Sequence, residues 1–410
     1  MHILLVHQAF AALDEPGGTR HYELARYLAK QGHLITIIAS PVSYLTGEAT
    51  SSKAHPKLEE SGGDTGAVTV RRVYTYRALH KSFVHRTFSF ISFMLSSFVA
   101  GLGVGEVDVV WGTSPPIFQG ATAWALARLK GVPFLFEVRD LWPAFAIQVG
   151  VLRNRLLIRL SEWLEGFLYR HADQLMVNSP GFIQHVTARG ARRTALIPNG
   201  ADPRMFDPHA QGEEFRQAHG LLGKFVVLYA GAHGLSNDLG IVLEAAERLR
   251  GEPEIAVVLL GDGKEKAALM ARAAELGLSN VYFLPPLSKS EMPDALAAAD
   301  ACLAILKPIP LYATVYPNKV FDYMAAGRPV ILAIDGVIRQ VVEEAGAGVF
   351  TPPGDAAALA GAIRALHSAP RMRQEMGRRA RRYVEQHFDR AVLAAQLETL
   401  LHSLAKGNAR

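Results

Sequence analysis

Short apolar runs, each followed by a helical stretch, recur along this chain in two successive series. In the first half the runs are Ile3–Val6, Leu34–Ala39, Val68–Tyr74, Val107–Trp111, Phe134–Glu137, Gln174–Asn178 and Ala195–Ile197. Helical patterns at Thr19–Gln31, Ser82–Leu102, Phe118–Lys130, Asn154–His171 and Gly181–Arg189 separate them. That rhythm predicts parallel strands in βαβ units. Turn residues then cluster at Pro198–Pro203, a polar stretch runs on to Gly223, and the alternation restarts. The second series has strands at Val226–Tyr229, Ala256–Leu260, Val281–Phe283, Ala301–Leu306, Val330–Ala333 and Gly348–Phe350. The expected fold is therefore α/β, with two tandem doubly wound domains over residues 1–200 and 201–389. Beyond Pro370 the pattern is helical to the end, and a helix at about 390–405 is expected to pack back on the first domain. A length of 410 residues suits two domains. The stretch Pro41–Gly66 reads as a long loop.

Composition narrows the function classes. A single cysteine, Cys302, excludes an intramolecular disulfide and a cysteine-cluster metal site, which fits a reducing cytoplasm. No Asp-x-Asp occurs and no His/Asp/Glu group has metal-ligand spacing, so no metal is expected. The N-terminal Met1–Val6 run lacks a basic region and reads as a strand, not a signal peptide. Residues 1–200 hold 20 Lys/Arg against 14 Asp/Glu, so the net charge of +5 is concentrated there. A solvated surface accounts for such an excess; anionic lipid or a phosphate-bearing acceptor are the other readings, and no nucleic-acid partner is expected. Thr87–Val104 is 18 residues without a charge. Core helix, membrane-surface helix and transmembrane span all remain open for it.

The most informative stretch is Pro317-Asn318-Lys319-Val320-Phe321-Asp322-Tyr323-Met324-Ala325-Ala326-Gly327. Pro317 can begin a helix whose free amides point at an anion, with Lys319 adding a full charge and Asp322 one turn on, placed for a ribose diol. A capped helix with incidental charges is the alternative. Gly231-Ala232-His233-Gly234 and Asn237 follow the second domain's first strand, where glycines let backbone approach a pyrophosphate. Gly261-Asp262-Gly263-Lys264 forms a second such turn, with Lys264 or Lys266 near any phosphate. In the first domain Gly17-Gly18-Thr19 opens the first helix, and Arg139-Asp140-Leu141-Trp142-Pro143 ends a strand. His7 and His21 flank the glycine loop, and structural histidines are the expectation for both.

The Pro317–Gly327 run resembles the nucleotide-sugar motif of family 4 glycosyltransferases, retaining enzymes of the GT-B fold. It is similar above all to the branch of bacterial fucosamine and related amino-sugar transferases. The Ser114-Pro115-Pro116 turn and the Arg139–Pro143 run match that branch too. Family members carry two glutamates eight positions apart; the second maps to Asp322 and the first to Thr314, which has no charge. The Arg and Lys that many members place after the second domain's first strand are also missing, with His233 and Asn237 in that region. The histidine that many members hold near the reacting sugar has no counterpart that the sequence identifies.

The resemblance implies two Rossmann-like domains with a cleft between them, acceptor on the first and nucleotide-sugar on the second. It implies a donor site of Gly231, His233, Gly234, Asn237, Gly261, Lys264, Thr314, Pro317, Asn318, Lys319, Val320 and Asp322. Gly17, Gly18 and Thr19 would approach the donor phosphates, and Lys319, Arg139 and Asp140 are the candidate catalytic groups. The expected reaction is retaining, metal-independent transfer of a hexose or amino sugar from a nucleoside diphosphate, UDP foremost. The nucleotide-sugar is a substrate, so no cofactor is expected. The acceptor would be lipid-linked or a saccharide, in polysaccharide assembly at the inner face of the membrane. A nucleotide-sugar epimerase and a non-catalytic binding subunit are the competing readings.

Overall fold

The structure is a computed structural model that describes residues 1–15, 17–42, 66–77 and 83–407. It divides into two compact units, Met1–Pro198 with Ala391–Arg410, and Asn199–Arg390. Most of the predicted Pro41–Gly66 loop, and Pro16 of the first glycine loop, lie outside the described residues.

The first unit holds seven strands: β1 (His2–Val6), β2 (Leu34–Ala39), β3 (Ala67–Arg72), β4 (Val109–Ser114), β5 (Phe134–Val138), β6 (Gln174–Val177) and β7 (Thr194–Leu196). They form one sheet in the order β3-β2-β1-β4-β5-β6-β7, and every pairing is parallel. The second unit holds β8 (Phe225–Ala230), β9 (Ile255–Leu260), β10 (Val281–Leu284), β11 (Ala301–Ile305), β12 (Val330–Ala333) and β13 (Gly348–Phe350). Their order is β10-β9-β8-β11-β12-β13, again all parallel. Both sheets are doubly wound, and the chain reverses direction between β1 and β4 in one and between β8 and β11 in the other. Loops at the carboxyl ends of the strands flanking such a reversal are where open α/β sheets bind ligands.

Burial explains why the strands read as unbroken apolar runs. Helices cover both faces of a parallel sheet, so both sets of alternating side chains must be apolar. On β8, Val226, Leu228 and Ala230 enter one core with Val320 and Phe321, whereas Phe225, Val227 and Tyr229 enter the opposite core with Val242 and Leu359.

The structure adjusts several boundaries. β4 runs to Ser114 and not Trp111, because Thr113 and Ser114 pair in register with Glu137 and Val138 despite their polarity. Short helices at Ala144–Gln148 and Glu213–Ala218 escape the periodicity because they span little more than one turn. The helical tail breaks at Phe388–Asp389 into Pro370–His387, in the second unit, and Arg390–Gly407. Leu393, Ala394, Leu397 and Leu401 of that last helix are buried with Ile3, Leu24 and Ile35 in the first unit's core. Among the described residues no helix is long and apolar enough to cross a membrane, which removes the spanning reading of Thr87–Val104. The helix there, Phe83–Leu102, buries Ser89, Phe93 and Ser97 and exposes Phe88, Ile91, Leu95, Val99 and Leu102.

Because Leu397 is fully buried, Leu397→Ala should remove about 2–5 kcal/mol of stability through lost burial and a residual cavity. Urea denaturation followed by circular dichroism measures this, and an unchanged midpoint would show that the last helix does not support the first core.

Candidate functional site

In the second unit the turn after β8 lies against the turn after β9. Gly231 has φ 144° and Gly261 φ 143°. A Cβ on Gly261 would fall 1.9 Å from the Gly231 carbonyl oxygen, and one on Gly263 2.5 Å from the His233 carbonyl oxygen. Two backbones approach where no side chain fits, which is why both turns are glycine-rich. The Gly231 amide donates to Leu260 O at 2.9 Å and the His233 amide to Asp262 O at 2.8 Å. These bonds lock the turn and alter the sequence expectation, since two amides expected to meet phosphate are engaged within the protein.

Lys319 reaches this turn from below. It stands in the first turn of the Asn318–Ala325 helix, whose residue before the first is Pro317, one position earlier than the sequence pattern places it. Its Nζ lies 3.8 Å from the Tyr229 ring centroid. A Cβ on Gly231 would meet that Nζ at 2.6 Å, so the ammonium sits directly under the glycine. Burial lowers the Lys319 pKa to about 7, because the charged form is desolvated with only a ring face as partner. His233 is fully buried, and neither ring nitrogen has a hydrogen-bond partner. Burial, with Lys266 and Lys319 nearby and against the pull of Asp262, brings its pKa down to about 4. A neutral imidazole with two unengaged nitrogens beside a half-charged lysine is poised for an added polar ligand.

The other donor-side candidates divide. Asp322 lies 2.6 Å from Lys289 Nζ, both side chains largely buried, and 3.4 Å from Asn318 Nδ2. Lys289, on the segment after β10, is a site residue that the sequence pattern misses; only the fold brings it to Asp322. Asn318 Oδ1 also accepts from Arg390 at 3.1 Å. The Thr314 hydroxyl donates to Leu311 O at 2.6 Å within the Pro310–Thr314 turn that follows β11. The Asn237 amide donates to Gly234 O at 3.0 Å, closing the β8 loop. Val320 faces the hydrophobic core, so its side chain is withdrawn from any ligand. Lys264 is exposed, whereas Lys266 donates to the carbonyls of Gly261 at 2.7 Å and Leu284 at 3.1 Å. Lys266 therefore ties the turn after β9 to the end of β10.

In the first unit the predicted loops gather around a buried charge cluster. Glu137, fully buried on β5, accepts from Arg20 Nε at 2.9 Å and His21 Nε2 at 2.6 Å. Burial pushes the Glu137 carboxyl up, but His21, Arg20 and Arg139 outweigh it and hold the group well below the usual carboxylate range. Burial depresses His21 to about 4 against the pull of Glu137, so the imidazole is neutral and Arg20 supplies the balancing charge. Arg20 also donates to the Ile197 and Pro198 carbonyls, each at 2.7 Å. His7 lies against His21 with ring centroids 4.0 Å apart and planes tilted by 40°, and bonds Thr113 Oγ1 through Nδ1 at 2.9 Å. Its Nε2 is buried without a partner. Asp140 follows β5, and burial raises its pKa to about 7 against Arg139 and the Leu141 amide. Arg139 Nη2 donates to Pro115 O at 3.0 Å. In the loop after β1, Glu15 is clamped by Arg72 at 2.7 and 2.9 Å. A Cβ on Gly17 would touch that of Ala11 at 3.0 Å, whereas one on Gly18 would meet nothing within 4 Å. Thr19 bonds Glu23 through its hydroxyl.

Comparison with known proteins follows the same division. The model of a Glycosyl transferase 4-like domain matches residues 17–200, and that of Glycosyl transferases group 1 matches residues 211–383. The chain is 26% identical over 384 residues, covering 90% of it and 91% of the relative, to WcaI of Escherichia coli K12, named as a colanic acid biosynthesis glycosyl transferase. Among solved structures it is similar to sucrose-phosphate synthase from Thermosynechococcus elongatus (TM-score 0.78, 19% identity, 99% of each chain). It is also similar to HepE from Anabaena in complex with UDP and glucose (TM-score 0.73, 20% identity, 98% of this chain and 100% of that one). These likenesses establish the fold, which is GT-B.

The depressed Lys319 pKa has a measurable consequence. Between about pH 7 and the ordinary lysine value of 10.5 the unfolded chain binds a proton that the folded chain does not, so this lysine lowers stability near neutrality and ceases to do so as pH rises. Lys319→Met should accordingly raise the melting temperature of the ligand-free protein at pH 7.5, with a gain that shrinks toward the alkaline end of that window. A pH-independent difference would contradict the buried state of this ammonium.

Proposed function

A chain whose halves match these two domain models is a family 4 glycosyltransferase, and on that premise we propose that it moves a hexose or amino sugar from UDP to a lipid-linked or saccharide acceptor in cell-surface polysaccharide assembly. The observation that carries the donor side is Lys319, partly buried beneath the Gly231 turn near a His233 with no partner for either nitrogen. A diphosphate bound there supplies a counter-charge to this ammonium, and raises the Lys319 pKa toward its ordinary value. Asp322, steadied by Lys289, takes the ribose hydroxyls. The UDP in HepE, on the same fold, supports the choice of nucleotide.

Retention follows if the bond from the anomeric carbon to phosphate oxygen breaks and the bond to acceptor oxygen forms on one face of the sugar. The acceptor hydroxyl's proton passes to the departing phosphate oxygen, so no metal and no protein nucleophile are needed. The protein contributes orientation and stabilises the charge growing on the leaving diphosphate. Lys319 and the start of the Asn318–Ala325 helix do this on the donor side. In the first unit, Asp140 and Arg139 at the end of β5 are the candidate catalytic groups, and Gly17, Gly18 and Thr19 after β1 the candidate acceptor and phosphate loop.

The first unit's surface supports a peripheral location at the inner membrane face. Phe88, Ile91, Leu95 and Val99 form an exposed stripe on one helix, and Leu156, Leu160 and Trp163 another on the Arg155–His171 helix. Arg155 and Arg159 accompany the second stripe. Apolar faces edged with arginine suit a cytoplasmic enzyme resting on the anionic inner leaflet, where a lipid-linked acceptor would be met.

A panel of UDP-, GDP- and dTDP-sugars tested by thermal shift should show stabilisation by the UDP series; no shift with any nucleotide would sink the donor reading. In nucleotide-release assays Lys319→Ala should lower kcat by about 10²–10³-fold, the usual size for losing one charge-stabilising group. Near-normal turnover would remove it from the mechanism. Pelleting with anionic vesicles should retain the protein, and Leu95→Ser with Val99→Ser should release it, with neutral vesicles as the control.

A further inference from the structure

His33, Glu398 and His402 meet in the first unit, although 365 residues separate the first two. Glu398 and His402 are one helical turn apart on the Arg390–Gly407 helix, and so project from the same face. His33 stands just ahead of β2 and is nearly buried. His33 Nε2 lies 3.0 Å from Glu398 Oε1, and His402 Nε2 lies 4.0 Å from that same oxygen. The ring centroids of the two histidines are 5.3 Å apart at 62°. One ligand atom from each residue falls within 4.8 Å of the others. His33 Nδ1, on the far side of its ring, contacts the Met1 amino group at 3.2 Å, which directs Nε2 toward Glu398.

We propose that these three side chains form a binding site for a borderline-soft divalent cation, zinc above all, that pins the last helix to the first unit. Two imidazole nitrogens and one carboxylate are the donor set that such ions prefer, while calcium and magnesium favour all-oxygen shells. Ligand atoms already within 4.8 Å need only small side-chain rotations to stand about 2 Å from a common centre. Water completes the coordination, since the His402 side chain is about half exposed at 48%. The role is structural: none of the three residues belongs to the donor or acceptor residues described above. A cation joining residue 33 to residues 398 and 402 closes nearly the whole chain into one loop and reinforces the packing of Leu393, Leu397 and Leu401.

Untagged full-length protein, stripped with chelator and dialysed, should bind one zinc ion per chain by isothermal titration and show a raised melting temperature, whereas magnesium should do neither. Cobalt(II) should give a visible d–d absorption band that zinc displaces. His402→Ala, at a half-exposed position, should fold with the metal-free melting temperature of the parent yet lose the zinc shift and the cobalt band. Glu398→Gln should lose them too. No binding by the parent, or a zinc shift kept by either variant, overturns the proposal. Nucleotide binding in the second unit is scored separately and is unaffected by either result.

Discussion

The contact on which the second unit's site depends is backbone on backbone: the Gly261 Cα against the Gly231 carbonyl. Only glycine at position 261 permits that approach, and the hydrogen bonds from Gly231 and His233 to the neighbouring strand end then fix the turn. Once the turn is fixed, Lys319 has a roof and Tyr229 gives it a floor. The ammonium is left partly buried against a ring face, where burial lowers its pKa to about 7. A cation held this way costs the protein stability near neutrality and is set to favour a bound diphosphate. Preorganised charge of this kind needs no rearrangement when charge develops on a ligand.

The first unit solves a different electrostatic problem. Glu137 is ionised in the core, and a buried carboxylate is tolerable only when its charge is balanced and its oxygens are hydrogen-bonded. Arg20 does the first and shares the second with His21, while carrying its remaining donors to the carbonyls at the exit of β7. The cluster thereby joins the start of the first helix, the end of β5 and the end of β7. Those are the places from which the loops carrying Gly17–Thr19 and Arg139–Asp140 depart. Loop positions at this end of the sheet are set by a charge network more than by apolar packing.

The apolar runs and their spacing made both sheets legible in the sequence, because parallel strands buried on two faces leave a strong compositional mark. The Pro317–Asp322 and Gly231–Gly234 stretches were legible as candidate site elements because a helix start and a glycine turn are local signals. Contacts created by long-range folding were not. Lys289 comes to Asp322 across 33 positions, and His33 to Glu398 across 365, with no periodicity to announce either. Local reasoning also assigned the Gly231 and His233 amides to a ligand, whereas the adjoining strand end claims them. It ended β4 three residues early because Thr113 and Ser114 look like turn residues until their partners on β5 are known.

The last helix has a consequence for how the molecule is made. The first unit's core takes in Leu393, Leu397 and Leu401, residues that follow the whole second unit in the chain. The second unit is one uninterrupted stretch, Asn199–Arg390, whose residues are all available earlier. The domain synthesised first is thus completed last, and until then it carries an open groove over Ile3, Leu24 and Ile35. For this step folding should run in the reverse of chain order, with the N-terminal domain held incomplete until the Arg390–Gly407 helix has been made.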